Sequence, residues 1–347
     1  NELIVGRKVS DDTCDLYIQN LGKESWEKLI GEAKWRQFAL SQDGRYLHYV
    51  KPIEPEVAAQ EGGQRTTCAP KGYALVEVDL KRDRPEKVLF TRDEEFFFPA
   101  ADPEGKNLVF CTDDDMPNAI LVWDRETGNT CRITPEKEIG FMWPKWTDER
   151  RIVAVRMSEE GPGEGDRIGT LVRLDASNGS MVELCPYVHF MDPPSFTASR
   201  DKAVVTALTI DLAAALAAGQ DVEKESSLWQ IAEVDLKTGA RRFLTHEPLG
   251  ADRAAYDPKG KRVAYLSPVT ERDEAMVRIL DLKSNRIQVV YRNEEEKLVA
   301  DAVRLEQDGK ADQALAAYKE LLERFPETRL KKLAEYHLQG EKPTRND

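Results

Sequence analysis

A short polar turn recurs along this chain at nearly even intervals, and it constrains the fold more than any other feature. Each copy lies between two short apolar runs: SQDGR at 41–45, DPEGK at 102–106, TDER at 147–150, SRDK at 199–202 and DPKGK at 257–261. Successive copies are 61, 44, 52 and 59 residues apart, measured from Gly44, Gly105, Glu149, Asp201 and Gly260. A period of this size indicates a protein built from one repeated structural unit.

A second set of turns alternates with the first along the chain. Its members carry Gly, Asn, Asp or Pro, which tolerate a positive φ or preset a turn: LGKES (21–25), KRDRPE (81–86), RETGN (125–129), DASNGS (175–180), LKTGA (236–240) and LKSNR (282–286). Short runs of alternating apolar and polar residues flank each turn, which is the pattern of two strands joined as a hairpin. One unit therefore reads as strand A, tight turn, strand B, variable loop, strand C, tight turn and strand D.

Five complete units of this kind, and part of a sixth, are predicted. The complete units lie at about 35–91, 94–134, 138–186, 190–245 and 248–292, and residues 2–30 supply only three strands. Repetition of such units at this spacing is typical of the blades of a β-propeller. We therefore expect a mainly β chain, with a six-bladed β-propeller over residues 1–292 whose first blade is incomplete.

The repeats also resemble those of TolB-type propellers. The resemblance lies in WPKWTDERRIVAV followed by GTLVRLDASNGSMVELC, and in AAYDPKGKRVAYL followed by VRILDLKSNRIQVV, and it covers roughly residues 1–292. Propellers of this kind serve as scaffolds, as receptors and as appendages of peptidases, so the resemblance implies a fold rather than one chemistry. Together with a chain that begins at Asn1, it leads us to expect a periplasmic or secreted protein.

The last part of the chain changes period. Apolar and small residues recur at helical spacing, with a break at a glycine and an end at a proline: Leu298, Ala302, Leu305, Gly309, Ala314, Tyr318, Leu321, Leu322 and Pro326. The pattern resembles one tetratricopeptide repeat, followed by a further helix at about 329–338. We assign residues 293–347 to this helical tail. Because about three such repeats are usually needed for stability, the hairpin either packs on its own propeller or stacks with the helices of a partner.

Charge indicates the kind of partner. The formal net charge is −13, which disfavours nucleic-acid binding because phosphates are neutralised by clustered Lys and Arg. No apolar run approaches the roughly 18 residues that span a bilayer. The long B–C loops, at 51–70, 157–168, 210–227 and 267–275, are rich in carboxylates. We expect these loops to share one face and to attract other protein subunits with a basic surface. The alternative is that they are solvated surface loops without a partner.

Six acidic residues of these loops are predicted to contact the partner: Glu159, Glu160, Glu164, Asp166, Asp221 and Glu223. Asp113, Asp114 and Asp115 form the densest group of carboxylates and are a weak metal candidate, because a calcium loop needs more regular ligand spacing. A polar loop is the favoured interpretation there.

Nothing in the sequence indicates a catalytic centre. The chain lacks a G-x-S-x-G, Walker or H-E-x-x-H motif, and its histidines, His48, His189, His246 and His337, are scattered over different units. We therefore predict no catalytic residue and no cofactor, and we interpret the histidines as structural or exposed. The aromatic residues Phe96, Phe97, Phe98, Trp143 and Trp146 are interpreted as core rather than as a platform for a ligand.

Five cysteines are too few to build a disulfide scaffold. Cys14 and Cys68 each follow a polar Asp/Thr run ahead of strand C in successive units, so they are candidates for a disulfide between two blades; the alternative is two unpaired cysteines. Cys111 and Cys131 lie on strands B and D of one blade, about 9–10 Å apart across strand C, and are not expected to bond.

These observations favour a non-catalytic interaction or scaffold subunit of a larger assembly, with the acidic loops and the helical tail as its contact surfaces. Two alternatives remain open. One is a propeller hydrolase or lyase with a metal or small ligand in the central channel. The other is a propeller that gates a peptidase, which requires a hydrolase domain that these 347 residues do not contain.

Overall fold

Alternating apolar runs and turn residues fold into twenty-three β-strands and three α-helices within the described residues. The computed structural model describes residues 2–9, 13–20, 26–34, 38–41, 44–53, 71–81, 85–112, 118–134, 140–157, 168–190, 192–210, 228–257, 259–268, 275–291 and 293–339. In chain order the strands are β1 (Glu2–Lys8), β2 (Thr13–Asn20), β3 (Trp26–Lys34), β4 (Phe38–Leu40), β5 (Tyr46–Ile53), β6 (Gly72–Asp79), β7 (Glu86–Arg92), β8 (Phe96–Ala101), β9 (Asn107–Thr112), β10 (Ala119–Asp124), β11 (Thr130–Arg132), β12 (Phe141–Trp146), β13 (Arg151–Met157), β14 (Ile168–Asp175), β15 (Met181–His189), β16 (Ser195–Phe196), β17 (Lys202–Leu208), β18 (Trp229–Asp235), β19 (Arg241–Phe243), β20 (Asp252–Tyr256), β21 (Arg262–Pro268), β22 (Ala275–Asp281) and β23 (Arg286–Val290).

The residues group into two compact units. Unit 1 comprises Asn1–Arg156 and Val172–Val182, and unit 2 comprises Met157–Leu171 and Glu183–Asp347. In unit 1, β1–β3 form a three-stranded sheet, β4–β7 and β8–β11 form four-stranded sheets, and β12, β13 and β14 are neighbours in a further sheet. Within these sheets, the described pairs are antiparallel and join strands that follow one another in the chain, as the sequence predicts.

Unit 2 contains further strands and the helices. β15, β17, β18 and β19 are neighbours in this order, and β20–β21–β22–β23 form a four-stranded sheet. One edge of β17 is shared by two strands, because β17 pairs through Ala207 with Val188 of β15 and through Val204 with Ser195 of β16. The strands predicted from the turns are thus confirmed in every repeat, whereas the number of blades stays a prediction.

An aspartate at the end of the third strand shapes the following turn in repeat after repeat. Asp124 Oδ1 accepts hydrogen bonds from the backbone N–H groups of Glu126 and Thr127, each at 2.8 Å, and Gly128 follows with φ +71°. The hydrogen bond from Thr127 is the main cause of the lowered pKa of Asp124. The same Asx arrangement, which substitutes for a backbone turn, recurs at Asp79, Asp175, Asp235 and Asp281.

The first strand of three sheets carries a bulge with a non-glycine residue in the left-handed region. The strand register shifts around Phe98, Trp143 and Arg253, whose φ angles are +54°, +58° and +52°. Bulges of this kind bend a strand and re-aim its side chains, and such φ angles cost free energy in non-glycine residues. In unit 1 the rings of Phe98 and Trp143 lie 3.6 Å apart between centroids.

Neighbouring sheets pack through their apolar faces inside each unit. Leu16 of β2 and Tyr49 of β5 belong to one buried cluster of unit 1, and Val204 of β17 shares a cluster of unit 2 with Val263 and Tyr265 of β21. Alternate residues of a strand face opposite sides, so a sheet between two others is apolar on both faces. This accounts for the nearly continuous apolar run of β17, KAVVTAL.

The tail folds into α1 (Glu294–Gln307), α2 (Ala311–Arg324) and α3 (Lys331–Gln339), as predicted. Asn293 caps α1 by accepting a hydrogen bond from the N–H of Glu296 at 2.9 Å. Gly309, with φ +74°, separates α1 from α2.

The helices share a core with the last sheet. Val299, Tyr318 and Leu333 are fully buried in one cluster with Met276 of β22 and Val289 of β23. Of the two placements left open by the sequence, the structure has the first, in which the hairpin packs on its own sheet. The tetratricopeptide likeness of the tail and the domain division at residue 292 stay predictions.

The first helix also contacts the edge strand of that sheet. The side-chain amide of Gln307 donates to the carbonyl of Ile287 at 3.0 Å and accepts from its N–H at 3.2 Å. Beside it, Arg286 Nη2 lies 2.6 Å from Asp308 Oδ1. Gln307 therefore satisfies one residue of β23 as a neighbouring strand would.

Candidate functional site

The strands that bound a long B–C loop end and begin at the same edge of their sheet. In an antiparallel sheet the first strand starts at the edge where the second strand ends and the third begins. We call this the loop edge; it is marked by strand pairs such as β17, which ends at Leu208, and β18, which begins at Trp229. Within each sheet, the order of strands therefore agrees with the expectation that the B–C loop joins two strands at the loop edge of that sheet.

The predicted partner-binding and metal residues all lie within these loops. Glu159, Glu160, Glu164, Asp166, Asp221, Glu223 and Asp113–Asp115 fall outside the described residues, so their role stays a prediction. The same holds for Cys68. Within the described ranges, no group of three or more His, Cys, Asp or Glu side chains has the arrangement of a metal site.

A cluster of polar side chains lies at the loop edge of unit 2, around Asp192. The Asp192 carboxylate is buried and accepts a hydrogen bond from the hydroxyl of Thr206 at 2.8 Å and from the backbone N–H of Arg253 at 3.4 Å. His189 Nδ1 lies 3.6 Å from Asp192 Oδ2, and Arg253 Nε lies 3.8 Å from Oδ1. We call these four residues the Asp192 cluster.

The chain brings the Asp192 cluster together from three strands and a connecting segment. His189 ends β15, Thr206 lies on β17, Arg253 lies on the bulge of β20, and Asp192 precedes β16. The His189 ring meets the ring of Trp229 edge-on, with centroids 4.9 Å apart, which fixes the imidazole against the first residue of β18.

Asp192 and Arg253 differ in side-chain exposure, and this difference indicates different roles in the Asp192 cluster. The Asp192 side chain is only 6% exposed, whereas the Arg253 side chain is 47% exposed. A buried carboxylate with several donors is suited to hold its neighbours in position, and the half-exposed guanidinium is the part that solutes can reach. The arrangement can bind an anionic group through Arg253, with His189 beside it as a candidate proton donor or acceptor.

Sequence reasoning did not single out Asp192 or Arg253. The signal for Arg253 was available from the repeats themselves, because it lies four residues before Asp257, just as Phe98 precedes Asp102. At the corresponding bulge positions two repeats carry an aromatic ring and one carries a cation. An exception of this kind within a repeated pattern indicates a specialised position.

Two other buried carboxylates serve the framework. Glu77 Oε2 lies 3.2 Å from His48 Nε2, and both Glu77 oxygens accept hydrogen bonds from Arg125, at 3.0 and 3.1 Å. The hydrogen bond with His48 is the main cause that lowers the pKa of Glu77 to about 2; burial opposes the shift, and Arg125 supports it. These residues join β5 and β6 to the turn after β10, away from the loop edge.

Glu233 holds the equivalent place in β18. It accepts hydrogen bonds from Tyr256 at 2.8 Å, Arg242 at 2.9 Å and Lys202 at 3.0 Å. Burial raises the pKa of Glu233, but the hydrogen bonds from Tyr256 and Lys202 outweigh it, so the pKa lies below its ordinary value.

The remaining predicted positions are mostly in the framework. His48 is buried, His246 is exposed and the His337 ring stacks on Tyr318. The interpretation of the aromatic residues as core agrees with the structure: Phe96, Trp143 and Trp146 are buried, and Phe97 and Phe98 pack partly buried against an apolar cluster of unit 1.

The cysteines also follow the predicted layout where they are described. Cys111 is buried on β9 and Cys131 is exposed on β11, and both are free. β10 separates them, since Ile120 pairs with Cys111 and Val122 with Cys131. Cys14 is buried on β2. The Cys14–Cys68 disulfide stays a prediction, and peptide mapping without reductant checks it: a crosslinked peptide pair is expected, and free thiols at both positions would exclude the bond.

Comparison with known proteins identifies the fold. No family model and no curated protein matches the chain. Among solved structures, TolB from Acinetobacter baumannii matches 84% of this chain and 69% of its own, with 15% identity and a TM-score of 0.50. The putative TolB from Agrobacterium tumefaciens matches 81% of this chain and 90% of its own, with 13% identity and a TM-score of 0.51. This chain has the fold of a TolB-like β-propeller.

Propellers attached to other activities match equally well. A puromycin-hydrolysing peptidase of Mycobacterium tuberculosis has a TM-score of 0.54 at 15% identity, and this chain spans 45% of it. An oligogalacturonate lyase in complex with manganese has a TM-score of 0.53 at 14% identity and is covered over 74% of its length. At these identities the likeness shows the propeller fold and selects none of these activities. No described helix of the chain is long and apolar enough to cross a membrane.

Proposed function

We propose that this propeller is a non-catalytic subunit of a periplasmic or secreted assembly, and that its loop edge binds a protein partner with a basic surface. The observation that carries the proposal is the position of the charge. The loop residues 51–70, 113–115, 158–167, 211–226 and 271–274 carry a formal charge of −12, against −13 for the whole chain. In each of these sheets, the strands that bound a loop end and begin at the loop edge of that sheet.

A concentration of carboxylates on one edge acts mainly on association. Complementary charge raises association rates by roughly 10- to 1000-fold at low salt, and exposed charges are screened over about 8 Å at physiological ionic strength. Binding of the partner is therefore expected to weaken steeply with salt.

The test compares two triple variants of the full-length protein. The loop variant removes three charges at the loop edge, and the control removes three exposed charges from tight turns at the opposite edge: Glu159→Gln, Glu160→Gln and Glu164→Gln against Glu104→Gln, Glu126→Gln and Glu149→Gln. Both variants have the same net charge, so they differ only in where charge is lost.

The measurement is chemical crosslinking and co-purification from the native source, followed by the association rate with the recovered partner at two salt concentrations. We expect the loop variant to associate about tenfold more slowly at low salt and the control to behave as the unmodified protein. Equal losses in both variants, or recovery of no basic partner at low salt, would contradict the proposal.

The Asp192 cluster favours a second candidate, a propeller hydrolase or lyase. His189 beside a half-exposed Arg253 at the loop edge is an arrangement that can bind an anionic substrate and move a proton. Metal analysis of the purified protein and assays with oligogalacturonate and with aminoacyl-amide substrates test it. A stoichiometric, tightly held cation, or turnover that is lost in His189→Ala, would favour the enzyme over the binding subunit.

A further inference from the structure

A buried ion pair lies where the last sheet meets the connection that precedes it. Arg278 Nη1 of β22 is 2.8 Å from Glu247 Oε2, and the two side chains are 4% and 5% exposed. Tyr265 of β21 donates its hydroxyl to Glu247 Oε1 at 2.6 Å. Gln230 holds the Glu247 backbone through two hydrogen bonds, at 2.7 and 2.8 Å. The carboxylate is thus fixed from several sides.

Among the described residues, only Nη1 of the three Arg278 guanidinium nitrogens has a hydrogen-bond partner. Within the described residues, Arg278 Nε and Nη2 are buried and have no hydrogen-bond acceptor. These two nitrogens form one side of the guanidinium, and their N–H groups point in the same direction as a fork that matches two oxygens of one anion. A buried charged donor without a partner is costly, so a pair of them on one side of an arginine needs an explanation.

Further buried polar atoms without partners in the described residues lie on α2 and on β21. The Tyr318 hydroxyl of α2 is fully buried and has no hydrogen-bond partner in the described part of the chain, and the same holds for Ser267 Oγ of β21. Ser267 lies on the same face of the sheet as Tyr265, two residues away, and its cross-strand neighbour is Met276. Tyr318 packs in one buried cluster with Met276, which lies two residues before Arg278 on the same face of β22.

We propose that Arg278 and Tyr318 bind the carboxylate of a small organic acid between the last sheet and the helical tail. The Nε–Nη2 fork of Arg278 donates two hydrogen bonds to the two carboxylate oxygens, and the Tyr318 hydroxyl donates a third. This site includes none of the acidic loop residues named in the proposed function, so it stands or falls independently of that function.

The charges around the fork select a singly charged ligand. Arg278 is already paired with Glu247, and Glu306 Oε1 lies 3.0 Å from His337 Nδ1, whose ring stacks on Tyr318 with centroids 4.5 Å apart. Two carboxylates are therefore nearby, and a doubly charged phosphate would meet more repulsion than a monocarboxylate. The two parallel donors also match the planar carboxylate group.

The experiment uses the full-length protein and acetate as the probe. Urea unfolding is measured with increasing sodium acetate at constant ionic strength and pH 7, with sodium chloride as the reference salt and sodium phosphate as a second probe. A ligand that binds only the folded protein raises stability with the logarithm of its concentration. In parallel, the Nε–H resonance of Arg278 is followed by ¹⁵N NMR and assigned by its absence in Arg278→Lys.

Three variants separate the site from general salt effects. Arg278→Lys keeps a positive charge beside Glu247 but removes the fork, and Tyr318→Phe removes a hydroxyl without breaking any bond seen in the described structure. Arg262→Lys is the control, because Arg262 lies on the same sheet with a side chain 47% exposed.

We expect saturable stabilisation by acetate in the unmodified protein and in Arg262→Lys. The apparent affinity should fall about tenfold or more in Arg278→Lys and roughly threefold in Tyr318→Phe, and the Arg278 Nε–H resonance should shift with acetate. Equal acetate dependence in all four proteins, an unmoved resonance, or a response to phosphate but not to acetate would overturn the proposal. If Arg278→Lys does not fold, the acetate dependence of Tyr318→Phe, compared with that of Arg262→Lys, still decides.

Discussion

Replacing Glu77 by glutamine should weaken unit 1 at neutral pH and leave it nearly unchanged in acid. Glu77 is 7% exposed and holds His48 and Arg125. Its pKa falls from 4.5 to about 2 in the folded protein. Because the folded-state pKa is depressed, the stabilisation is complete above about pH 4.5 and disappears as the pH falls toward 2.

The size of the effect follows from the shift. Lowering the pKa of Glu77 from 4.5 to about 2 corresponds to at most about 3.4 kcal/mol of folding free energy, at roughly 1.36 kcal/mol per pH unit. The Arg125 side chain is 32% exposed, so solvent screens its share, and we expect a loss of about 2 kcal/mol in Glu77→Gln at pH 7. Below about pH 2 the glutamate is largely protonated in both states, and the difference from glutamine should vanish; at about pH 3 the folded-state glutamate is still mostly ionised.

Urea unfolding at pH 7 and at about pH 2, followed by tryptophan fluorescence, measures the difference. Glu233→Gln is the matched control, since Glu233 holds the same strand position but its cationic partners Lys202 and Arg242 are 41% and 66% exposed. We expect about 1 kcal/mol or less there. A Glu77→Gln difference that is independent of pH, or no larger than that of Glu233→Gln, would refute the reasoning.

Three further perturbations test the turns, the thiols and the tail. Gly179→Ala should lower the free energy of unfolding by about 3 kcal/mol or more, and Gly128→Ala by about 1–2 kcal/mol, in thermal unfolding. Both glycines have a φ near +70°, but of the two only Gly179 would place a Cβ 2.5 Å from a backbone oxygen. Equal losses of stability in the two variants would rule out the clash. In the native protein, iodoacetamide should modify the exposed Cys131 and spare Cys111, because burial raises the pKa of the Cys111 thiol. If mass mapping finds both cysteines modified at similar rates, the burial of Cys111 is contradicted. Deleting residues 293–347 should lower the melting temperature or abolish folding of unit 2, since it uncovers apolar residues of the last sheet; an unchanged melting curve would contradict the shared core.

Local chemistry explains why the strands and turns are readable from the sequence. A third strand that ends in Asp, followed by a glycine with positive φ, forms the same turn after β10 and after β18 because the aspartate supplies the hydrogen bonds itself. The helices are equally local, since Gly309 and Pro326 interrupt them within a residue or two of the predicted ends. Such features depend on neighbours in the chain and not on distant contacts.

Distant contacts set the features that the sequence did not reveal. Phe98 and Trp143 adopt a positive φ although neither is a glycine, because the surrounding sheets impose the bulge. An arginine is expected at the surface because its charge is rarely buried. Arg278 is nevertheless buried against Glu247, which lies 31 residues earlier in the chain. Asp192 likewise gains its role from Arg253, 61 residues later. The acidic loops, in contrast, are recognised from composition and remain to be tested by experiment.

The contact between Gln307 and Ile287 changes what the edge of the last sheet offers to a second chain. β23 is the last strand of its sheet, and an exposed strand of this kind is a template on which a second chain can add and begin an aggregate. Gln307 occupies the backbone N–H and carbonyl of Ile287. A second strand that added to β23 would therefore have to displace this amide first.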